Sequence, residues 1–235
     1  MQNLSITTYK NIIYKIVIYL VLFFSCLVRF FAYFQNRPLW HDECLLALNV
    51  INHNFFGLFL PFDDNQSAPS MFLVFTKFLT ILFGENELVL RFLPFVFSIA
   101  SVFVFYLLTK KIFSQKWLLV LANLLFALNL PFIYYSQEFK QYSLEVFFVI
   151  FSLLIFSKIS IKSFDVKKAI VFGFLSFLPF LFSFSYVFVF AAYLLYELFN
   201  SKTKPNRPFW VFISVSLVLF IFSYFLILLP QKQSS

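Results

Sequence analysis

The feature that most constrains this chain is a series of long apolar runs separated by lysine clusters. Residues 11–34, 89–109, 117–134, 142–157, 169–199 and 208–229 are almost free of charge. Several approach the roughly 20 residues that a helix needs to cross the hydrocarbon layer. The chain is 62% hydrophobic, with a mean hydropathy of +0.89, beyond the roughly 45–50% apolar content of a soluble domain. The alternating pattern of a transmembrane barrel is absent. These features predict an all-α polytopic membrane protein, a single module over residues 1–235, with about seven transmembrane helices and interfacial helices in its first outer loop.

The lysines set the expected topology. Lys10 and Lys15 lie at the start of the first run, which has no small-residue cleavage site, so it reads as an anchor helix with a cytoplasmic N-terminus. Arg29, near the outer end of that run, is expected to snorkel. Residues 35–68 form the first outer loop. Lys110, Lys111 and Lys116, then Lys158, Lys162, Lys167 and Lys168, then Lys202, Lys204 and Arg207 mark successive inner turns. The run 169–199 is broken at Pro179 and by Ser183–Tyr186, and reads as two short helices turning near residues 182–186. Residues 69–83 are apolar but for Lys77, and would reach only about 22 Å at ~1.5 Å per residue. A crossing there would put the Lys110 cluster outside, so the segment reads as interfacial or re-entrant. The plasma (inner) membrane is the expected location.

Only 12% of residues are charged, so acids beside an apolar run call for a reason. Residues 36–44, Asn-Arg-Pro-Leu-Trp-His-Asp-Glu-Cys, place Arg37, His41, Asp42 and Glu43 directly after the first span. Residues 42–54 read as an interfacial helix, with Cys44, Ala47, Leu48, Ile51 and Phe55 on one side and Asp42, Asn49 and His53 on another. A helix-start acid explains one of the two adjacent carboxylates. A second polar cluster, Tyr134-Tyr135-Ser136-Gln137-Glu138-Phe139-Lys140-Gln141-Tyr142, falls in the second outer loop, about 135–141. Glu138, Gln141, Tyr142 and Glu145 would share a helix face if the next span starts there. An ionisable group as deep as Glu145 would be a functional candidate, whereas the tyrosines and Lys140 also suit an interfacial belt. Arg91 either pairs with Glu87 on its own helix or faces a phosphate.

Other classes find little support. The net charge of +8 belongs to inner loops and not to a nucleic-acid surface. Three glycines without a phosphate-loop pattern argue against nucleotide binding. Cys26 and Cys44 do not suggest a bridge, and no metal-ligand spacing occurs. Asp63 and Asp64 read as a solvated turn. The 41 phenylalanines read as lipid-facing and packing residues. A transporter or lipid flippase is a rival because intramembrane acids also mark ion paths, but no inverted repeat is visible. An inactive fragment or partner subunit that keeps the fold is a second rival.

Acids beside an outward cavity, with Arg and Lys nearby, suit a substrate with an anionic phosphate and a transferable group. The segments Pro38–Glu43, Gln66-Ser67-Ala68-Pro69, Leu82–Glu87 with Arg91, and Tyr134–Tyr142 together resemble the ordered motifs of C-type membrane glycosyltransferases. The nearest group is the dolichyl-phosphate-mannose protein mannosyltransferases and aminoarabinose transferases, over roughly residues 15 to 200. The resemblance implies transfer, with inversion, from a polyprenyl-phosphate sugar to an unidentified acceptor on the non-cytoplasmic face. It implies Asp42 as the catalytic base, assisted by Glu43, with Glu138 as a second acidic site. Arg37, His41, Arg91, Tyr135, Gln137, Lys140, Tyr142 and Glu145 are then candidates for substrate binding. No cofactor and no metal ligand is expected, although a divalent cation stays open. Lys140 stands where related bacterial motifs have Arg, Ser70 replaces a second proline, and the histidine common in relatives is missing from Ser183–Tyr186. Such relatives are longer, so an acceptor-binding C-terminal part is expected to be absent and a second subunit becomes a candidate partner.

Overall fold

The computed structural model describes residues 2–60, 66–199 and 205–225. Every regular element among them is helical: α1 (Gln2–Phe34), α2 (His41–Asn52), α3 (Ser70–Phe83), α4 (Glu87–Ile112), α5 (Lys116–Ala127), α6 (Leu130–Tyr134), α7 (Tyr142–Phe156), α8 (Val166–Phe177), α9 (Tyr186–Phe199) and α10 (Arg207–Ser223). Asp63, Asp64, Lys202 and Lys204 lie outside the described residues.

The all-helical membrane architecture is the expected one. Asn11–Phe34 in α1 and all 26 residues of α4 are long and apolar enough to cross a bilayer. Helices α5 and α6, extended through Gln137, form a third apolar unit bent by 53°. The bend has a local cause: Asn129 caps a new helix by accepting from the Phe132 N–H at 3.1 Å, and Pro131 occupies its first turn. Helices α7 to α10 have 15, 12, 14 and 17 residues. Of the seven expected crossings, two are helices and one a bent pair of sufficient length and apolarity, and the segments expected for the other four hold shorter helices. Helix α3 has 14 residues, a rise of about 21 Å. It ends at Gly84, whose φ of 90° favours a residue without Cβ.

Helix α4 is central and packs on α1, α3, α5 and α7, while α8 pairs with α10 and α9 lies against α7. The close approach of α8 and α10 is made at Gly173, where an added Cβ would stand 2.9 Å from Val215 Cγ1. Three apolar clusters hold the molecule. Val50, Phe72, Leu90 and Phe139 join α2, α3, α4 and the second loop. Leu22, Val102, Phe126 and Ile150 fill the middle of the bundle. Tyr186, Phe190, Phe209 and Phe212 bind α9 to α8 and α10. Phenylalanine serves both surfaces, buried at Phe72 and Phe139 and exposed at Phe23, Phe31 and Phe188. Cys26 and Cys44 are free thiols.

Three expectations are corrected. Arg29 does not snorkel: it is 0% exposed, donating from Nε to Ser98 Oγ at 2.9 Å and from Nη1 to Ser25 Oγ at 2.7 Å. Helix α2 buries Glu43, Leu46, Ala47, Asn49 and Val50, whereas Leu48 is 50% exposed. Its inward stripe therefore begins with an acid. Finally, Glu138 and Glu145 do not share a helix face. Tyr135–Gln137 is a single 3-10 turn, Glu138 is extended, and α7 starts only at Tyr142.

Candidate active site

Two adjacent residues on a helix point about 100° apart, so a pair of neighbouring acids cannot face one target. At the start of α2 this separates Glu43 from Asp42. Glu43 turns inward and is 1% exposed. Arg91, on the first turns of α4, donates from Nε to Glu43 Oε1 at 3.0 Å and from Nη2 to Oε2 at 2.6 Å. The Phe139 N–H donates to Oε1 at 2.5 Å, and the Trp40 N–H to Oε2 at 3.3 Å, closing the first turn of α2. Arg91 also donates to the carbonyls of Arg37 at 2.5 Å and Pro38 at 3.3 Å. Four chain segments thus meet at one ion pair.

This geometry corrects two expected roles. Arg91 neither pairs with Glu87 nor presents its fork to a phosphate, because Glu43 and two carbonyls engage it. Glu43 has no free oxygen with which to assist a reaction. Both residues position the segment that carries Asp42.

Asp42 is the acid left available. It is partly exposed, and no hydrogen bond or ion pair engages it among the described residues. Its charge reaches Lys140 and Tyr142 across the site. Lys140 is half-buried, with Nζ donating to Gln66 Oε1 at 3.2 Å. Burial pulls the Lys140 ammonium below the usual lysine range, while Asp42, Glu43 and Glu138 oppose that shift. His41 is exposed at the first turn of α2 and makes no hydrogen bond or ion pair among the described residues.

Glu138 is 2% exposed. Burial raises its carboxyl above the ordinary glutamate range, and the charge of Glu43 adds to the rise. The Tyr134 hydroxyl, hydrogen-bonded to it, and the charges of Arg37 and Arg91 pull the other way. The Arg37 guanidinium sits 5.3 Å from the Tyr134 ring centre. With its amide oriented to satisfy both ends, Gln137 donates to the Ala32 carbonyl at 2.7 Å and accepts from Arg37 Nη2 at 3.2 Å. Arg37 and Gln137 therefore brace the loop against the end of α1. The rings of Tyr135 and Tyr142 lie 4.5 Å apart.

Glu145 belongs to a different arrangement. It stands in the first turn of α7, not two turns inside a span. It accepts from Ser183 Oγ at 2.6 Å, the Phe184 N–H at 2.8 Å and the Ser185 N–H at 2.7 Å. The carboxylate closes the turn before α9 and also lines the neighbouring cavity. Between that turn and Tyr135 and Tyr142 lies a cavity of about 400 Å³, with Arg29 and Ser98 among its lining residues. Its size suits a small ligand or part of a lipid.

Sequence reasoning missed two polar residues near the site. Lys77 donates to the Ile51 carbonyl at 2.8 Å and ties α3 to the last turn of α2. Its solitary charge in an apolar run was the available signal. Gln66, the partner of Lys140, carried no comparable signal beyond its place in a motif. Among the described residues no group of His, Cys, Asp and Glu has the arrangement to hold a metal ion.

The family described as dolichyl-phosphate-mannose-protein mannosyltransferase has a sequence model that matches residues 67–228. That stretch includes Arg91, Glu138, Lys140 and Glu145 and begins after Asp42. No curated protein matches the chain. No solved structure matches it either.

Proposed function

The chain belongs to the dolichyl-phosphate-mannose-protein mannosyltransferase family, a group of C-type glycosyltransferases, and on that premise we propose that it moves a sugar from a polyprenyl-phosphate donor to an acceptor hydroxyl or amine at the non-cytoplasmic face of the membrane. The observation that carries this reading is a carboxylate without a hydrogen bond or ion pair among the described residues, Asp42, whose charge reaches the half-buried cation Lys140.

In the proposed step the acceptor heteroatom attacks the anomeric carbon of the donor. The bond from that carbon to the phosphate oxygen breaks, and its electron pair leaves with the polyprenyl phosphate. Asp42 takes the acceptor proton. Lys140 neutralises the charge that grows on the leaving phosphate. A single displacement inverts the configuration at the anomeric carbon. The Glu43–Arg91 pair holds the Asp42 segment against the Lys140 loop, which keeps base and cation in register. Exposed apolar surfaces of the bundle would let the polyprenyl tail stay in the bilayer.

The test is sugar release from a panel of radiolabelled polyprenyl-phosphate sugars by the purified chain in lipid. Asp42→Asn should lower turnover about 10²–10⁴-fold, the usual scale of general-base catalysis, without changing thermal stability. Wild-type turnover in that variant would remove Asp42 from the mechanism. Folded wild-type protein that turns over no donor would favour a partner-subunit role.

A further inference from the structure

A second cavity, of about 650 Å³, opens at the far end of α7 and α9. Helix α7 runs from Tyr142, beside Asp42, to Phe156 on this cavity's wall, so the two sites lie at opposite ends of the bundle. Glu197, on α9, lines the cavity and is 2% exposed. Its Oε1 accepts from the Tyr193 hydroxyl at 3.3 Å and its Oε2 from Ser160 Oγ at 3.5 Å. Both distances are long for hydroxyl donors, which usually approach to ~2.7–2.8 Å. No cation among the described residues lies within ion-pair distance of it.

Glu43 and Glu145 set the contrast. Glu43 has an arginine and two backbone donors, and Glu145 has three close donors. Among the described residues Glu197 is held by two stretched neutral donors, a costly setting for a buried carboxylate. It has no ion pair among the described residues, and it faces a space of ligand size. Lys158, also lining the cavity, is exposed, so the same space offers a negative group in its wall and a positive group at its rim. Leu153, Phe156 and Val189 supply apolar lining. A simple metal or amine cation would leave Lys158 without a counter-charge. A zwitterion carrying an ammonium and a phosphate satisfies both charges.

We propose that this cavity binds the headgroup of an aminophospholipid from the surrounding leaflet. Its primary ammonium donates to Glu197, its phosphate meets Lys158, and its acyl chains leave along the apolar wall. The site is independent of the transfer chemistry at Asp42.

The test uses the full chain in detergent, titrated with phosphatidylethanolamine, phosphatidylcholine or phosphatidylglycerol while thermal unfolding is followed. Phosphatidylethanolamine should bind with about tenfold higher apparent affinity than either other lipid, the scale of one charge-assisted hydrogen bond. Phosphatidylcholine has no N–H donor and phosphatidylglycerol has no ammonium. Glu197→Gln should abolish the preference. Lys158→Ala, at an exposed position that leaves the packing intact, should lower affinity for phosphatidylethanolamine by a similar factor. Equal binding of the three lipids, an unchanged preference in Glu197→Gln, or an unchanged affinity in Lys158→Ala would overturn the proposal. Full stabilisation by soluble phosphoethanolamine alone would overturn the lipid as its source.

Discussion

Arg91 and Glu43 are 48 residues apart in sequence, yet they meet side-on in a buried two-pronged ion pair with contacts of 3.0 and 2.6 Å. The pair is the junction of α2, α4 and the second loop. Removing one partner leaves the other charge buried and unpaired, a loss of about 3–5 kcal/mol. Glu43→Gln and Arg91→Met should each destabilise the protein by that amount in a denaturation series, and the double variant should lose less than their sum. Arg91→Lys should not rescue, since an ammonium cannot make the parallel contacts. Single variants as stable as wild type would show that the pair does not hold this junction.

Lys140 should impose an alkaline limit on turnover. Its ammonium is held below the ordinary lysine value of 10.5, chiefly by burial. As pH rises through that lowered value the cation is lost, and with it the proposed neutralisation of the leaving phosphate. Turnover should therefore fall at a lower pH than an ordinary lysine would dictate. Lys140→Arg should remove the alkaline fall while keeping substantial activity, because guanidinium stays charged throughout. A pH–rate profile of the two proteins decides this, and superimposable profiles would exclude Lys140 titration as the cause.

How far the site was legible in the sequence follows from the range of each interaction. Asp42, Glu138 and Lys140 stand out because charge is scarce in an apolar chain, and the helices follow from run length alone. The division of labour between Asp42 and Glu43 depends on helix rotation and on Arg91, far along the chain. The burial of Arg29 likewise depends on Ser98, 69 residues away, so local reasoning sends its side chain to the interface. The shared face expected for Glu138 and Glu145 fails for a local reason. The Lys140 N–H bonds back to the Glu138 carbonyl at 2.8 Å, which makes a tight turn where a helix was expected.

Glu138 should make stability depend on pH. Its folded-state value lies above the ordinary 4.5, mainly through burial. Between those two values the folded chain holds a proton that the unfolded chain has released, so stability falls as pH rises through that window. Above the raised value the penalty is complete and constant. Glu138→Gln, which keeps an acceptor for the Tyr134 hydroxyl, should flatten this slope and gain stability relative to wild type at neutral pH. Unfolding midpoints measured from pH 4 upward test it, and an unchanged slope in the variant would assign the pH dependence to another group.

Glu145 gives the most local prediction. Its carboxylate accepts from Ser183 Oγ and from two successive backbone amides, and the Tyr186 N–H in turn donates to Ser183 Oγ at 3.2 Å. The turn that starts α9 is therefore organised by a residue from α7. An uncharged amide can accept at one oxygen only, so Glu145→Gln must leave at least one of those amides without its partner, a loss of about 1–3 kcal/mol. The damage should be confined to the α7–α9 junction, because the Glu43–Arg91 pair is built from other elements. Hydrogen exchange should rise at Phe184 and Ser185 in the variant, while the Phe139 amide, bound to Glu43, keeps its protection. Equal loss of protection at all three amides would mean that the two junctions unfold as one unit.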